Sequence, residues 1–239
     1  MATAAAGHGH LHGHGGHADG HGHPPTTTGL DHKKVAVWAF IGSECMLFAS
    51  LISTYMIYKG RSVVGPYPHE PCPVGPPPGC PVARPAILNI PVTSASTFVL
   101  LMSSLAMVLA LAAVEEKDRP MPAGAGWGDR ALRSSKLWLW MTAVLGIVFL
   151  GFQAYEFTSF VHEGLSIRTN LFGSTFFTLT GFHGAHVTAG VIWLLTLLAI
   201  DYKRGLRPRD AVNVDIAALY WHFVDVVWIA IFTLVYLIQ

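Results

Sequence analysis

Six acidic or histidine side chains lie within long apolar runs of this 239-residue sequence, where a titratable group is costly. They are Glu44, Glu156, His183, His186, His222 and Asp225. A charged group near the centre of a bilayer costs at least ~2.5–3.5 kcal/mol, so such groups face protein or a polar cavity and are candidates for function. The alternative is that each forms an interhelical hydrogen bond, whose measured coupling averages only ~0.6 kcal/mol.

The spacing of these residues allows more than one kind of chemistry. His183 and His186 are three residues apart, as are His222 and Asp225, so each pair shares one face of a helix. Three or four converging ligands can hold a metal ion, and one histidine from each of two facing helices can hold a haem. The spacing permits both sites and requires neither.

Five apolar segments must position these side chains. Apolar residues make up 52% of the chain and charged residues 12%, which excludes an ordinary soluble enzyme domain. We place the segments at about 35–58, 92–114, 137–161, 171–200 and 216–238. Each reaches the ~20 residues that a helix needs to cross the hydrocarbon core, and none alternates like a barrel strand. The predicted fold class is therefore all-α, a polytopic membrane helix bundle with five transmembrane helices in residues 35–239.

The fourth segment is rich in small residues. Gly181 and Ala185 form a small-xxx-small pair, a pattern that lets two helices approach closely. We therefore expect this segment to pack centrally, with its two histidines directed at neighbouring helices rather than at lipid.

Residues 1–34 form a polar tail that carries eight of the thirteen histidines. Because this composition does not bury a core, we expect the tail to be disordered. Its alternating His and Gly residues could chelate copper, nickel or zinc, although a solvated arm is the favoured interpretation. Eleven Lys and Arg residues lie in this tail and in the loops 115–136 and 201–215, against four in the other loops. The positive-inside rule thus predicts a cytoplasmic N-terminus and a C-terminus on the outside.

The first outer loop is rich in proline and contains two cysteines. Nine prolines fall between residues 64 and 85, so we expect the loop to be extended and stiff. Cys72 and Cys80 would lie in an oxidising compartment, and we predict a disulfide between them. The alternative is a pair of free thiols in a mobile loop.

Four stretches of the sequence resemble subunit III of the haem-copper oxidases. They are NLFGSTFFTLTGFHGAHV at 170–187, YWHFVDVVW at 220–228, the first span with Ser43 and Glu44, and GFQAYEF with Gln153 and Glu156. The likeness covers about residues 35–239 and extends to cytochrome c oxidases and quinol oxidases. The sequence resembles the five-helix form found in bacterial members of the family, and this resemblance implies a location in a bacterial plasma membrane.

The resemblance implies an accessory subunit without a redox centre. It implies that haem and copper lie in partner subunits, that the complex reduces oxygen to water and pumps protons, and that the partners are oxidase subunits I and II and membrane phospholipid. A further small subunit or a respiratory supercomplex are additional candidate partners. The residues carried over as lipid-binding or proton-related are Glu44, Glu156, His183, His186, Trp221, His222 and Asp225. For Glu44, a structural or lipid-anchoring role is favoured over direct proton transfer.

The sequence also departs from the longest members of that family. They have seven spans, and this chain begins at the equivalent of the third, so we expect one wall of their lipid cleft to be absent unless another subunit supplies it. Other functions remain open: a metal-ion transporter, which the lack of an internal repeat disfavours, a b-type haem anchor, or an accessory protein of nitric oxide reductase. The net charge of +1 gives no indication of nucleic-acid binding.

Overall fold

A computed structural model describes residues 31–59, 61–62, 88–120, 124 and 126–238. The predicted disulfide between Cys72 and Cys80 and the tail up to residue 30 lie outside these residues.

Five long helices account for most of the described chain. They are α1 (His32–Tyr58), α2 (Ile90–Glu115), α4 (Ser135–His162), α5 (Leu171–Arg204) and α6 (Ala211–Phe232), with a short helix α3 (Trp127–Leu132) before α4. A 3₁₀ turn (Pro208–Asp210) precedes α6, and a π-helical turn (Thr233–Leu237) follows it. Each long segment is long and apolar enough to cross a membrane, so the prediction of a five-helix membrane bundle is confirmed.

Side chains beside the apolar runs set where the helices begin and end. The carboxylate of Asp31 accepts the amide N–H of Lys33 at 2.8 Å and caps α1. In the same way Asn170 accepts the amide of Gly173 at 2.7 Å and caps α5. Such caps satisfy N–H groups that have no partner within the helix. At the other end of α5, Gly205 adopts φ of 71°, a left-handed conformation that glycine takes without strain.

Four of the helices form a closed ring, and α1 lies outside it. In the ring, α2 packs against α4 and α6, and α5 packs against the same two helices from the other side. Helix α1 packs on α5 and α6 and buries only Phe48 and Tyr55. The fourth segment, α5, thus contacts three other spans, and so does α6.

The close approaches in the ring occur at glycines other than the predicted one. A Cβ atom on Gly190 would lie 2.8 Å from the ring of Trp221, and a Cβ on Gly146 would lie 2.7 Å from the same ring. By contrast, a Cβ on Gly181 would meet no atom within 4 Å, and Ala185 is exposed. Gly181 and Ala185 therefore form no close approach among the described helices of this chain. Glycine is needed at the positions that face Trp221, because a larger side chain there would clash with the indole.

Polar contacts fix both ends of α1. At its first turn, Nζ of Lys34 lies 2.5 Å from Oδ2 of Asp215 at the start of α6. Just beyond its last turn, the ammonium of Lys59 donates to the carbonyl oxygens of Leu234 and Ile238. Partial burial there lowers the pKa of Lys59 below the ordinary lysine value. These links hold a helix that contributes little to the apolar core.

Asp201 joins three helices at the end of the bundle where α5 finishes. It is fully buried, and its carboxylate accepts the hydroxyl of Ser135 at 2.7 Å and the amide of Leu206 at 2.8 Å. Nζ of Lys117, just after α2, lies 3.5 Å from the same carboxylate. A buried carboxylate needs such partners, so Asp201 fixes α2, α4 and α5 relative to one another.

Candidate functional site

Glu44 and His186 join α1 to α5 near the middle of both helices. Oε2 of Glu44 lies 3.1 Å from Nε2 of His186, and each side chain is 16% exposed. Phe48 packs edge-on against the imidazole, with ring centroids 5.0 Å apart. Because α1 buries so few side chains, this polar contact carries much of its attachment at mid-depth.

The second ring nitrogen of His186 determines where the protons lie. Nδ1 is 2.8 Å from the carbonyl oxygen of Phe182, which can only accept, so Nδ1 carries a hydrogen. The contact with Glu44 then needs one further proton. Either a carboxylic acid donates to a neutral ring, or a protonated ring donates to a carboxylate. The pair has no net charge in either form, which suits its depth in apolar surroundings.

Tyr220 brings a third helix to this pair. Its hydroxyl donates to the carbonyl oxygen of His186 at 3.0 Å, and its ring stacks on Phe40 of α1 with centroids 6.3 Å apart. The pair is therefore enclosed by α1, α5 and α6.

Glu156 links α4 to α2 at the end of the bundle where α2 begins. The hydroxyl of Thr93 donates to Oε1 of Glu156, and both side chains are buried. A pocket of about 340 Å³ opens beside this contact, and Asn89, Ser159 and Glu163 also line it. The pocket presents two carboxyl groups and a hydroxyl, which suits a small polar or cationic group.

His183 is fully buried and packs as an aromatic ring. Its imidazole stacks on Trp228 with centroids 4.9 Å apart, and Phe149 meets it edge-on at 5.8 Å. Neither ring nitrogen has a hydrogen-bond partner within the described part of the chain. Although His183 and His186 share a turn of α5, His183 is directed into the ring of helices and His186 towards α1.

Three residues of α6 lie along its contact with α2. The indole N–H of Trp221 donates to Oγ of Ser103 at 2.9 Å, and Nδ1 of His222 lies 2.5 Å from Oγ of Ser104. Asp225, one turn further along α6, is 3% exposed, and its carboxyl lies near the same Ser104 hydroxyl. Neither carboxyl oxygen of Asp225 has a partner in good hydrogen-bond geometry among the residues that the structure describes.

The structure thus distributes the predicted residues over separate helix contacts. Glu44 and His186 form one pair, Glu156 lies near an end of the bundle, and Trp221 and His222 lie between α2 and α6. Over the described ranges, no three His, Cys, Asp or Glu side chains come together as a metal site would require.

Comparison with known proteins identifies the family. A model of the family described as cytochrome c oxidase subunit III matches residues 14–239. The chain belongs to this family. It is 38% identical over 206 residues to "Cytochrome c oxidase subunit 3" of Bacillus sp. (strain PS3), covering 86% of each chain. It is 36% identical over 200 residues to "Quinol oxidase subunit 3" of Bacillus spizizenii, covering 84% of each. It is 33% identical over 200 residues to "Cytochrome bo(3) ubiquinol oxidase subunit 3" of Pseudomonas aeruginosa, covering 84% of this chain and 82% of the relative.

Membership of the subunit III family establishes the general role of the chain. It is the accessory subunit of a haem-copper terminal oxidase, a respiratory enzyme complex, and it associates with other subunits of that complex. The five long apolar helices make it a multi-pass membrane protein. The resemblance found in its sequence motifs is confirmed.

The sequence did not indicate which hydroxyl groups would bond to the predicted site residues. These are Thr93, Ser103 and Ser104 on α2 and Tyr220 on α6. The signal for the first three was the presence of Ser and Thr in an otherwise apolar span that carries no titratable group. Asp201 was also missed, and its signal was an acid directly after the apolar part of α5.

Proposed function

We propose that this chain is subunit III of a cytochrome c oxidase. In this proposal subunits I and II hold the haem and copper, cytochrome c supplies the electrons, and the complex reduces oxygen to water and pumps protons. The relative with 38% identity, which is named for cytochrome c oxidase, motivates this choice of donor. Other relatives named for cytochrome c oxidase are 34% and 36% identical and those named for quinol oxidases 32% to 36%, so the oxygen-uptake assay below decides the donor.

Within that complex we propose that the chain stabilises the catalytic subunit, binds phospholipid and supports proton uptake. One observation carries this proposal: intramembrane polar residues such as Glu44 with His186 and His222 with Ser104 connect pairs of helices instead of converging on one centre. Such contacts hold a bundle in one arrangement, whereas a redox or transport site needs several ligands at one point.

We propose two positions for bound lipid. The pocket beside Glu156 contains acidic groups that suit the ammonium of a phospholipid headgroup. The Glu44–His186 pair would anchor the helix α1, whose outer face is apolar and exposed at Trp38, Met46 and Ile57. In the orientation that we propose, with the N-terminus in the cytoplasm, the Glu156 pocket would lie near the outer leaflet.

Purification of the tagged chain from native membranes in a mild detergent tests the proposal. We expect a haem difference spectrum, a copper-containing partner subunit and oxygen uptake with reduced cytochrome c. Uptake with quinol alone would assign the complex to the quinol oxidases. A colourless chain that comes out alone and loaded with zinc would overturn the oxidase proposal in favour of metal transport. Membranes with the untagged chain serve as the control.

A further inference from the structure

His222 lies at the middle of helix α6. Helix α6 runs from Ala211 to Phe232, so at 1.5 Å per residue His222 is about 15 Å from each end. Its partner Ser104 lies in the central part of α2. No water is available at this depth, so a polar atom here needs a protein partner.

One ring nitrogen of His222 is satisfied and the other is not. Nδ1 lies 2.5 Å from Oγ of Ser104, whose hydroxyl also lies near the carboxyl of Asp225. Of these groups, Asp225 is buried and Ser104 is half-buried. In the described part of the chain the imidazole is hydrogen-bonded through Nδ1 and not through Nε2, and the half-buried ring is partly exposed on the outside of the bundle. Nε2 can donate or accept, depending on the tautomer that Ser104 selects.

Apolar side chains surround His222 on this outside surface. Val226 and Ile229 follow it on α6 and are 63% and 42% exposed. Leu101 and Val108 flank Ser104 on α2 and are also exposed. We call these residues with His222 the α2–α6 face. Acyl chains would cover its apolar part but offer no hydrogen-bond partner to the imidazole.

We propose that the α2–α6 face docks a transmembrane helix of another oxidase subunit, one that presents a polar side chain to Nε2 of His222. The partner group is a side-chain hydroxyl, amide or carboxyl, because the backbone groups of a helix are already bonded within it. This inference rests on the membership of the chain in a multi-subunit oxidase. It adds which face of the chain meets the partner and what chemistry the partner brings.

Photo-crosslinking in the intact complex tests this face. The photoreactive residue p-benzoylphenylalanine replaces Val226, four residues from His222 and on the same side of α6. The matched control carries it at Ile147 of α4, which is 49% exposed on the opposite side of the ring. We expect irradiation to join position 226 to a helix of another oxidase subunit, identified by peptide mass spectrometry.

Four crosslinking results would overturn the proposal. They are adducts only with lipid, adducts with a quinone, adducts with a second copy of this chain, or equal protein yields at positions 226 and 147. Haem in the same purified sample reports separately whether the oxidase assignment holds. A failure of this inference is therefore distinct from a failure of the proposed function.

A pair of variants tests the hydrogen bond itself. We expect His222→Leu to weaken retention of the chain in the detergent-solubilised complex about three- to twentyfold, the range that corresponds to measured interhelical hydrogen bonds. His222→Gln keeps a group that can donate and accept, and we expect it to restore most of the retention. Equal retention of the Leu variant and the unmodified chain would refute an intersubunit bond at this position.

Discussion

Replacing Glu44 by Gln or by Leu separates a structural role from a proton-transfer role. In the neutral ring, Nδ1 of His186 carries the hydrogen and Nε2 accepts. The side-chain amide in E44Q can donate to that nitrogen in place of the carboxylic acid, so this variant keeps the bond. E44L removes it and leaves the nitrogen unpaired in apolar surroundings. We therefore expect E44Q to assemble normally and E44L to assemble poorly.

The expected size of the E44L effect follows from the small number of buried contacts that α1 makes. The helix buries only Phe48 and Tyr55, and the ion pair between Lys34 and Asp215 is partly exposed, which limits it to at most about 1 kcal/mol. Interhelical hydrogen bonds in membranes contribute about 0.6 kcal/mol on average and about 1.7 kcal/mol at most. Loss of the Glu44 contact should thus reduce retention of the chain in the complex about three- to twentyfold.

The assay is the ratio of this chain to haem in oxidase purified in increasing detergent, together with protons pumped per electron in reconstituted vesicles. Ser43→Ala is the matched control, since Ser43 is exposed, adjacent to Glu44, and, among the described residues, hydrogen-bonded only to the carbonyl of Phe40 in its own helix. If E44Q is lost from the complex as readily as E44L, the hydrogen-bond geometry is refuted. If E44Q assembles fully and pumps no protons, the structural role is refuted instead.

Three further substitutions test other contacts. Asp201→Ala leaves a buried hydroxyl and a buried amide without an acceptor, and each should lower the free energy of unfolding by about 1–3 kcal/mol. The melting temperature in detergent should therefore fall, and an unchanged melting temperature would contradict the assigned hydrogen bonds. Gly190→Ala forces a Cβ to within 2.8 Å of Trp221 and should lower the melting temperature, whereas Gly181→Ala, in open space, should not; equal effects would refute the packing argument. Glu156→Gln keeps an acceptor for its threonine partner and should preserve assembly, while Glu156→Leu should impair it, as measured by the ratio of chain to haem.

The helices were predictable because they depend on local properties. An apolar run of more than 20 residues must become a helix in a bilayer, whatever its neighbours are. The caps at Asp31 and Asn170 are equally local. The sequence also showed which polar residues lie within the spans, because burying such a residue in the membrane costs free energy whatever its neighbours are.

The pairing of those residues was not predictable, because it depends on which helices become neighbours. His183 and His186 are three residues apart, yet one stacks on Trp228 inside the ring and the other bonds to Glu44 on α1. A shift of one turn in α1 would have left Glu44 without this partner. The same holds for Gly181: a small residue permits a close approach, but the indole of Trp221 decides where it occurs.

The positions of the polar contacts support an accessory role more strongly than any single contact does. Glu44 with His186 joins α1 to α5, Glu156 joins α4 to α2, and His222 joins α6 to α2. Each of these three contacts links a different pair of helices, and all five spans are included. A bundle fixed in this way presents a rigid surface to a partner, which is what stabilising a catalytic subunit requires. On this argument Nε2 of His222, a polar atom on the outside that has no partner among the described residues, marks the face that we propose meets the rest of the enzyme.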